Sequence, residues 1–423
     1  MPMMNIRTSR KWWIAAAAVV MQLCLGAAYG WSVFVKPLVN SEHWTLTQVS
    51  MNFSLAIFCL GIGTVVGGMW LDRVGPRVVA SVAGLLYGLG YVLAAFAVNH
   101  HSLLGLYLSY GVLAGFGGGM GYICPVSTLV KWFPEKRGLM TGIAVCGYGA
   151  GALVMSAIAA PQIAAHGVPV TFLILGAAYA ILVIATAQFY QNPPETSLLP
   201  GLEAQTHATR AAQSSEFSVS EAMRTPQFWL LWVMLFVNVS AGIMIISQAS
   251  PMAQQLAGFT PVAAAGVVGV IALFNGLGRV VWAAASDYIG RATVFVILFA
   301  IQAIALFALP FLHAPILFTV AMALVGFAYG GGFGTMPSFA ADFFGAKNIG
   351  GIYGWILLAW GVGAVPSPML IAHIREVSGR YNLALEMIAV LMVCSIALPL
   401  LARKPQHPRI SLVGKLADAQ SCD

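Results

Sequence analysis

The chain has 423 residues, of which 60% are hydrophobic and 8% charged, with a mean hydropathy of +0.86. Soluble globular proteins carry about 25% charged residues, so this composition excludes that class and describes a chain that crosses a lipid bilayer repeatedly. A formal charge of +7 could suit nucleic acid, but the basic residues are scattered through short loops between apolar runs, which excludes a nucleic-acid surface.

At the N-terminus, Arg7, Arg10 and Lys11 precede an apolar run that starts at Trp12 and continues past Tyr29, longer than the core of a cleaved signal; it reads as an uncleaved first span. Apolar stretches of membrane-spanning length predict helices at 12–36, 47–71, 77–98, 103–130, 138–162, 169–190, 227–251, 261–286, 292–310, 315–339, 348–372 and 382–402. Between the sixth and seventh lies the only long polar segment, 191–226, opening with Asn192-Pro193-Pro194. It reads as a linker between an N-terminal half, 1–190, and a C-terminal half, 227–402, with a tail at 403–423. The expected fold is all-α and polytopic, with twelve transmembrane helices in two six-helix, pseudo-symmetric halves.

Sixteen of the twenty Lys and Arg residues fall at one side: Arg7, Arg10, Lys11, Arg73, Arg77, Lys131, Lys136, Arg137, Arg210, Arg224, Arg291, Lys347, Arg403, Lys404, Arg409 and Lys415. Lys36, Arg375 and Arg380 fall at the other. The basic side is the cytoplasmic one, so both termini and the linker are expected in the cytoplasm of a cell with this chain in its surface membrane, expected to be a bacterial inner membrane.

The remaining basic residue, Arg279, lies within the eighth span, eight positions before Asp287. At about 1.5 Å per residue it sits roughly 12 Å inside the boundary of a ~30 Å hydrocarbon slab. An arginine cannot shed its charge there, and its placement costs at least ~2.5–3.5 kcal/mol, so an anion or water must face it. None of the thirteen carboxylates lies deep in a span; Glu386, about one turn into the twelfth, comes closest. An anionic ligand is therefore the expected partner of the guanidinium fork, against the blander reading that Arg279 bonds backbone carbonyls and serves packing.

The halves repeat one another. Gly68-Met69-Trp70-Leu71-Asp72-Arg73-Val74-Gly75-Pro76-Arg77 after the second span is echoed by Ser286-Asp287-Tyr288-Ile289-Gly290-Arg291 after the eighth, and Lys131–Gly138 after the fourth by Asp342–Lys347 after the tenth. Repeated halves put a substrate site near the midplane at their interface.

These loops resemble the signature loop of the major facilitator superfamily. The resemblance implies a conformational latch formed by Asp72, Gly75 and Arg77 and, in the second half, by Asp287, Gly290 and Arg291. In that latch each Asp accepts from the next helix's N-terminus and each Arg pairs across the bundle. Within the superfamily the chain resembles the oxalate/formate antiporter family, through Gly26–Trp31, Lys131–Gly138, Gly147-Tyr148-Gly149, Arg224–Trp229 and Phe274-Asn275-Gly276 with Arg279. That likeness implies a binding arginine at Arg279, cavity tyrosines at Tyr29, Tyr122 and Tyr148, and an aromatic pair at Tyr329 and Phe333. In the eleventh span Trp360 stands where the oxalate carrier has a lysine.

Tyr29, Tyr122, Tyr148 and Tyr329 offer hydroxyls and Trp360 an indole N–H, although core packing explains any one of them alone. Asn275, one turn before Arg279, can orient the guanidinium, meet substrate or bond another helix. A single fixed cation balances one carboxylate, whereas a dianion would leave a charge uncompensated in a low-dielectric cavity. Formate, lactate or pyruvate is thus expected to suit the site better than oxalate.

The expected function is secondary transport of small organic anions by alternating access, in exchange mode, because an empty carrier would have to reorient with Arg279 unpaired. Proton symport is the alternative, since related monocarboxylate carriers place an aspartate where Asn275 stands. A carboxylate-sensing membrane receptor is the alternative from another class, and an enzyme lacks a catalytic constellation. No cofactor is expected, and the partners are the anion and the bilayer, with the chain monomeric. The runs Gly115–Gly119 and Gly330–Gly334 lie inside spans with no strand before them, so they are helix contacts and not nucleotide loops. The six cysteines read as small packing residues, and the lone histidines His43, His100, His101, His166, His313 and His373 as solvated groups.

Overall fold

The computed structural model describes residues 2–193 and 216–405. Most of the predicted linker and tail, with Arg210, Arg409 and Lys415, falls outside these. The described residues are helical almost throughout. Eleven continuous apolar helices among them are long enough to cross a bilayer. One of these, Arg137–Ala187, has 51 residues, which at about 1.5 Å each would run roughly 75 Å, more than twice a hydrocarbon core. Gly167 breaks it with φ 81° and ψ 173°, a conformation open to glycine and strained for other residues, and Pro169 starts the sixth span just beyond. The predicted six-residue loop is in fact this single reversed residue. The described residues therefore hold twelve spans.

Local chemistry fixes many boundaries. Thr45 caps the second span (Leu46–Val74) in a reciprocal box with Gln48, and Thr225 and Thr260 cap the seventh (Pro226–Ala257) and eighth (Pro261–Ile289), each followed by a proline at the first helical position. Gly75 and Gly290 close the second and eighth at the same φ of 89°, so the repeated loops share backbone geometry as well as sequence. The first span is interrupted by a 3-10 turn at Gly26–Gly30 between Pro2–Leu25 and Ser32–Glu42. The fourth carries a wide π turn at Tyr107–Ala114 ahead of Gly115–Trp132, and the eleventh divides into Ile349–Gly363 and Pro366–Ser378.

The halves meet along two lines, second span against eleventh and fifth against eighth. Glycines let backbones touch there. A Cβ on Gly68 would strike the Gly350 carbonyl, and one on Gly138 or Gly142 would strike the carbonyl of Ala283 or Arg279. Toward the other end the fifth–eighth seam widens. A Cβ on Gly149 would lie 3.4 Å from Gly276, one on Gly276 would lie 3.8 Å from the Cys146 sulfur, and one on Gly269 would meet nothing within 4 Å. The seam is a wedge, tight at the basic loops and open opposite them.

Candidate functional site

Arg279 is fully buried at the centre of that wedge. Its Nε donates to Asn275 Oδ1 at 3.1 Å, one turn earlier on the same helix, and its Nη1 donates to the Val145 carbonyl at 3.2 Å, across the seam in the fifth span. Nη2 has no partner. No carboxylate forms an ion pair with it among the described residues. The guanidinium carbon stands 5.0 Å from the centre of the Phe333 ring and 5.9 Å from that of Tyr148, close enough for cation–π attraction. These contacts hold the fork in place and leave one of its edges unsatisfied.

The predicted aromatics converge here. Trp360 is their hub, with ring centres 5.9 Å from Tyr29, 5.8 Å from Tyr122, 5.7 Å from Tyr148 and 5.1 Å from Phe333. Tyr29 and Tyr329 touch hydroxyl to hydroxyl at 3.3 Å across the halves, and Tyr29 is the one half-buried member. The 3-10 turn delivers Tyr29, because Gly26 sits against the Tyr148 backbone where no side chain fits. The hydroxyls of Tyr122 and Tyr148, the Trp360 indole nitrogen and Arg279 Nη2 are all buried donors without partners. Leaving each of them bare costs about 1–3 kcal/mol, and one small acceptor-rich ligand would satisfy several.

Two features escaped the sequence. One is the Val145 carbonyl, a main-chain acceptor that no residue type announces. The other is Tyr353, buried with its hydroxyl unpartnered, seven residues before Trp360 and so on the same helical face. That spacing was the available signal.

Beyond the cage, the wedge is sealed at the basic end. Asp72 accepts from the Gly351 N–H at 2.6 Å and from Lys131 Nζ at 3.2 Å, and Asp287 accepts from the Gly138 and Leu139 N–H groups at 3.0 Å each. Both aspartates thus cap a helix of the opposite half, the eleventh and the fifth, and not the next helix in the chain as the loop resemblance implied. A carboxylate seeks the densest set of free N–H groups, and these helix starts supply them. Arg77 is exposed and forms no ion pair among the described residues, while Arg291 pairs within its own half with Asp287 at 2.6 Å and Asp342 at 3.0 Å and also reaches Ser286. The arginine of this end whose ion pair crosses the halves is Arg137, to Asp342 at 3.1 Å. Among the described residues, every hydrogen bond between the halves lies between the Tyr29–Tyr329 pair and this end. Two histidines are not simply solvated: His101 meets Glu42 at 2.6 Å and His313 the Leu256 carbonyl at 3.1 Å.

Comparison with known proteins decides the family. The sequence profile of the Major Facilitator Superfamily matches residues 18–368. The chain belongs to the major facilitator superfamily. It is 33% identical to the uncharacterized MFS-type transporter YhjX of Escherichia coli, over 84% of this chain and 86% of that one. It is 29% identical to the oxalate:formate antiporter of Oxalobacter formigenes, over 83% and 81%. It is 27% identical to apicoplast pyruvate carrier 1 of Toxoplasma gondii, over 70% and 64%. The same fold is seen in the proton:xylose symporter XylE, with a TM-score of 0.72 at 14% identity over 94% and 97%, and in the human organic anion transporter MFSD10, with 0.70 at 12% over 92% and 99%. As a member of the superfamily the chain is a multi-pass membrane transporter, and the wedge about Arg279 lies at the interface of its two six-helix halves.

Proposed function

We propose that this transporter carries small monocarboxylates, of the size of formate, lactate or pyruvate, by alternating access, with the substrate carboxylate on Arg279. The observation that carries the reading is the unpartnered Nη2 edge of a fully buried guanidinium with no carboxylate beside it. Tyr122, Tyr148 and the Trp360 indole supply donors around the same space. The relatives named for oxalate, formate and pyruvate agree with this class of cargo.

One cation faces the cage and Trp360 fills the position of a second, so a monoanion leaves no residual charge and a dianion does. The coupling is exchange of one anion for another. Asn275 lends Arg279 an uncharged acceptor, so the cage holds no titratable carboxyl to take a proton with the cargo, and the empty cage would have to reorient with a bare buried charge. The basic end is cytoplasmic by the distribution of Lys and Arg, in a bacterial inner membrane, and the state seen is closed on that side.

Proteoliposomes preloaded with one monocarboxylate should accumulate a labelled second one, and empty vesicles should not. Arg279→Ala should abolish exchange with the protein still inserted, and Arg279→Lys should lower it at least about tenfold, since an ammonium cannot reproduce the two-pronged contact. Near-normal exchange by Arg279→Ala would remove the arginine from the site.

A further inference from the structure

The cage has a floor. Tyr353 lies in the eleventh span on the face that bears Trp360, about two turns closer to the basic end. It is 1% exposed, and its hydroxyl lies beside that of Tyr122 in the opposite half, with neither making a hydrogen bond of ordinary geometry. It sits two residues from Gly351, whose N–H holds Asp72, and one from Gly354, whose carbonyl accepts from Thr64 at 3.1 Å. Tyr353 therefore stands where the seam between second and eleventh spans must part for cargo to leave at the basic end. A phenylalanine would fill the same packing space, so the weakly placed hydroxyl adds little to the packing of this state.

We propose that the Tyr353 hydroxyl is a second station for the carboxylate, which binds cargo in the conformation open at the basic end and passes it to and from Arg279, with Tyr122 bridging the two. Once the latch of Asp72 on Gly351 releases, the seam opens and the hydroxyl faces the path of the anion. The inference rests on the carboxylate reading of the Arg279 site.

The test is the sidedness of binding. In oriented vesicles that exchange a labelled monocarboxylate, half-saturating concentrations are measured separately at the basic-loop face and at the opposite face. Tyr353→Phe should raise the value at the basic-loop face about tenfold or more, the order of one hydrogen bond to a charged group, and leave the other within about twofold. Its melting temperature should be unchanged or higher. Tyr190→Phe, which removes another buried unpartnered hydroxyl far from the cage in sequence, should move neither value. Unchanged values at both faces in Tyr353→Phe, or equal shifts at both with a lower melting temperature, would overturn the station while leaving the Arg279 site standing. If the parent protein exchanges no carboxylate, the proposed function fails and the station falls with it.

Discussion

Arg279 and Asn275 form a unit whose balance can be changed by one atom. Asn275 offers the guanidinium an acceptor without charge, and so leaves its positive field available to the anion proposed above. In Asn275→Asp the acceptor becomes a resident counterion 3.1 Å from Nε, the arginine holds the carboxyl ionised at neutral pH, and the cargo must compete with it. Protonating that carboxyl restores the parent charge. Exchange by Asn275→Asp should therefore be nearly lost at neutral pH and recover as the pH falls, whereas the parent has no such rise over the same range. Uptake measured across a pH series checks this, and a flat profile in the variant would mean that the charge on Arg279 does not govern binding. The charge of Arg279 and its lack of a carboxylate partner were legible in the sequence because span membership alone placed them. The Val145 carbonyl and Tyr353 were not, since each depends on which face of a helix looks across the seam.

At the scale of elements, the repeated loops act by capping helices of the other half. Asp72 on the start of the eleventh span and Asp287 on the start of the fifth are related by the same pseudo-symmetry that relates the loops. Each joins a carboxylate to the positive end of a helix of the other half, so the contact must break for the halves to part at the basic end. The loop motif was plain in the sequence, but its partners lie 279 and 149 residues away and are fixed by how the halves dock. Neutralising the acids should weaken the closed state by roughly 1 kcal/mol per site, about a fivefold shift between states for each. In a chain without native cysteines, Ser338→Cys, buried beneath the latch against Thr141, should alkylate faster from the basic-loop side when Asp72→Asn and Asp287→Asn are added. An unchanged rate would mean that other contacts hold this end.

For the whole molecule, the glycine contacts turn the wedge into an expectation of opposite signs. Twelve crossings and two halves followed from hydropathy and repeats, but the angle between the halves did not, because an apolar run says nothing about which end of a seam is tight. The contacts do say so: Gly142 lies on the Arg279 backbone, Gly68 on that of Gly350, and Gly269 faces open space. A methyl at Gly142 cannot be absorbed by a flexible side chain, since what it meets is main chain, so Gly142→Ala should drive the halves apart at the basic end. Gly269→Leu fits the present state but would collide when the seam closes at the other end, and should hold the protein as it is seen here. Spin labels at Arg73 and Lys347, exposed residues of opposite halves at the basic end, should report a longer distance in Gly142→Ala and a short, narrow one in Gly269→Leu that no cargo changes. Both variants should exchange poorly, for opposite reasons. If the two gave the same distance distribution, the tapering seam would not be the hinge line of transport.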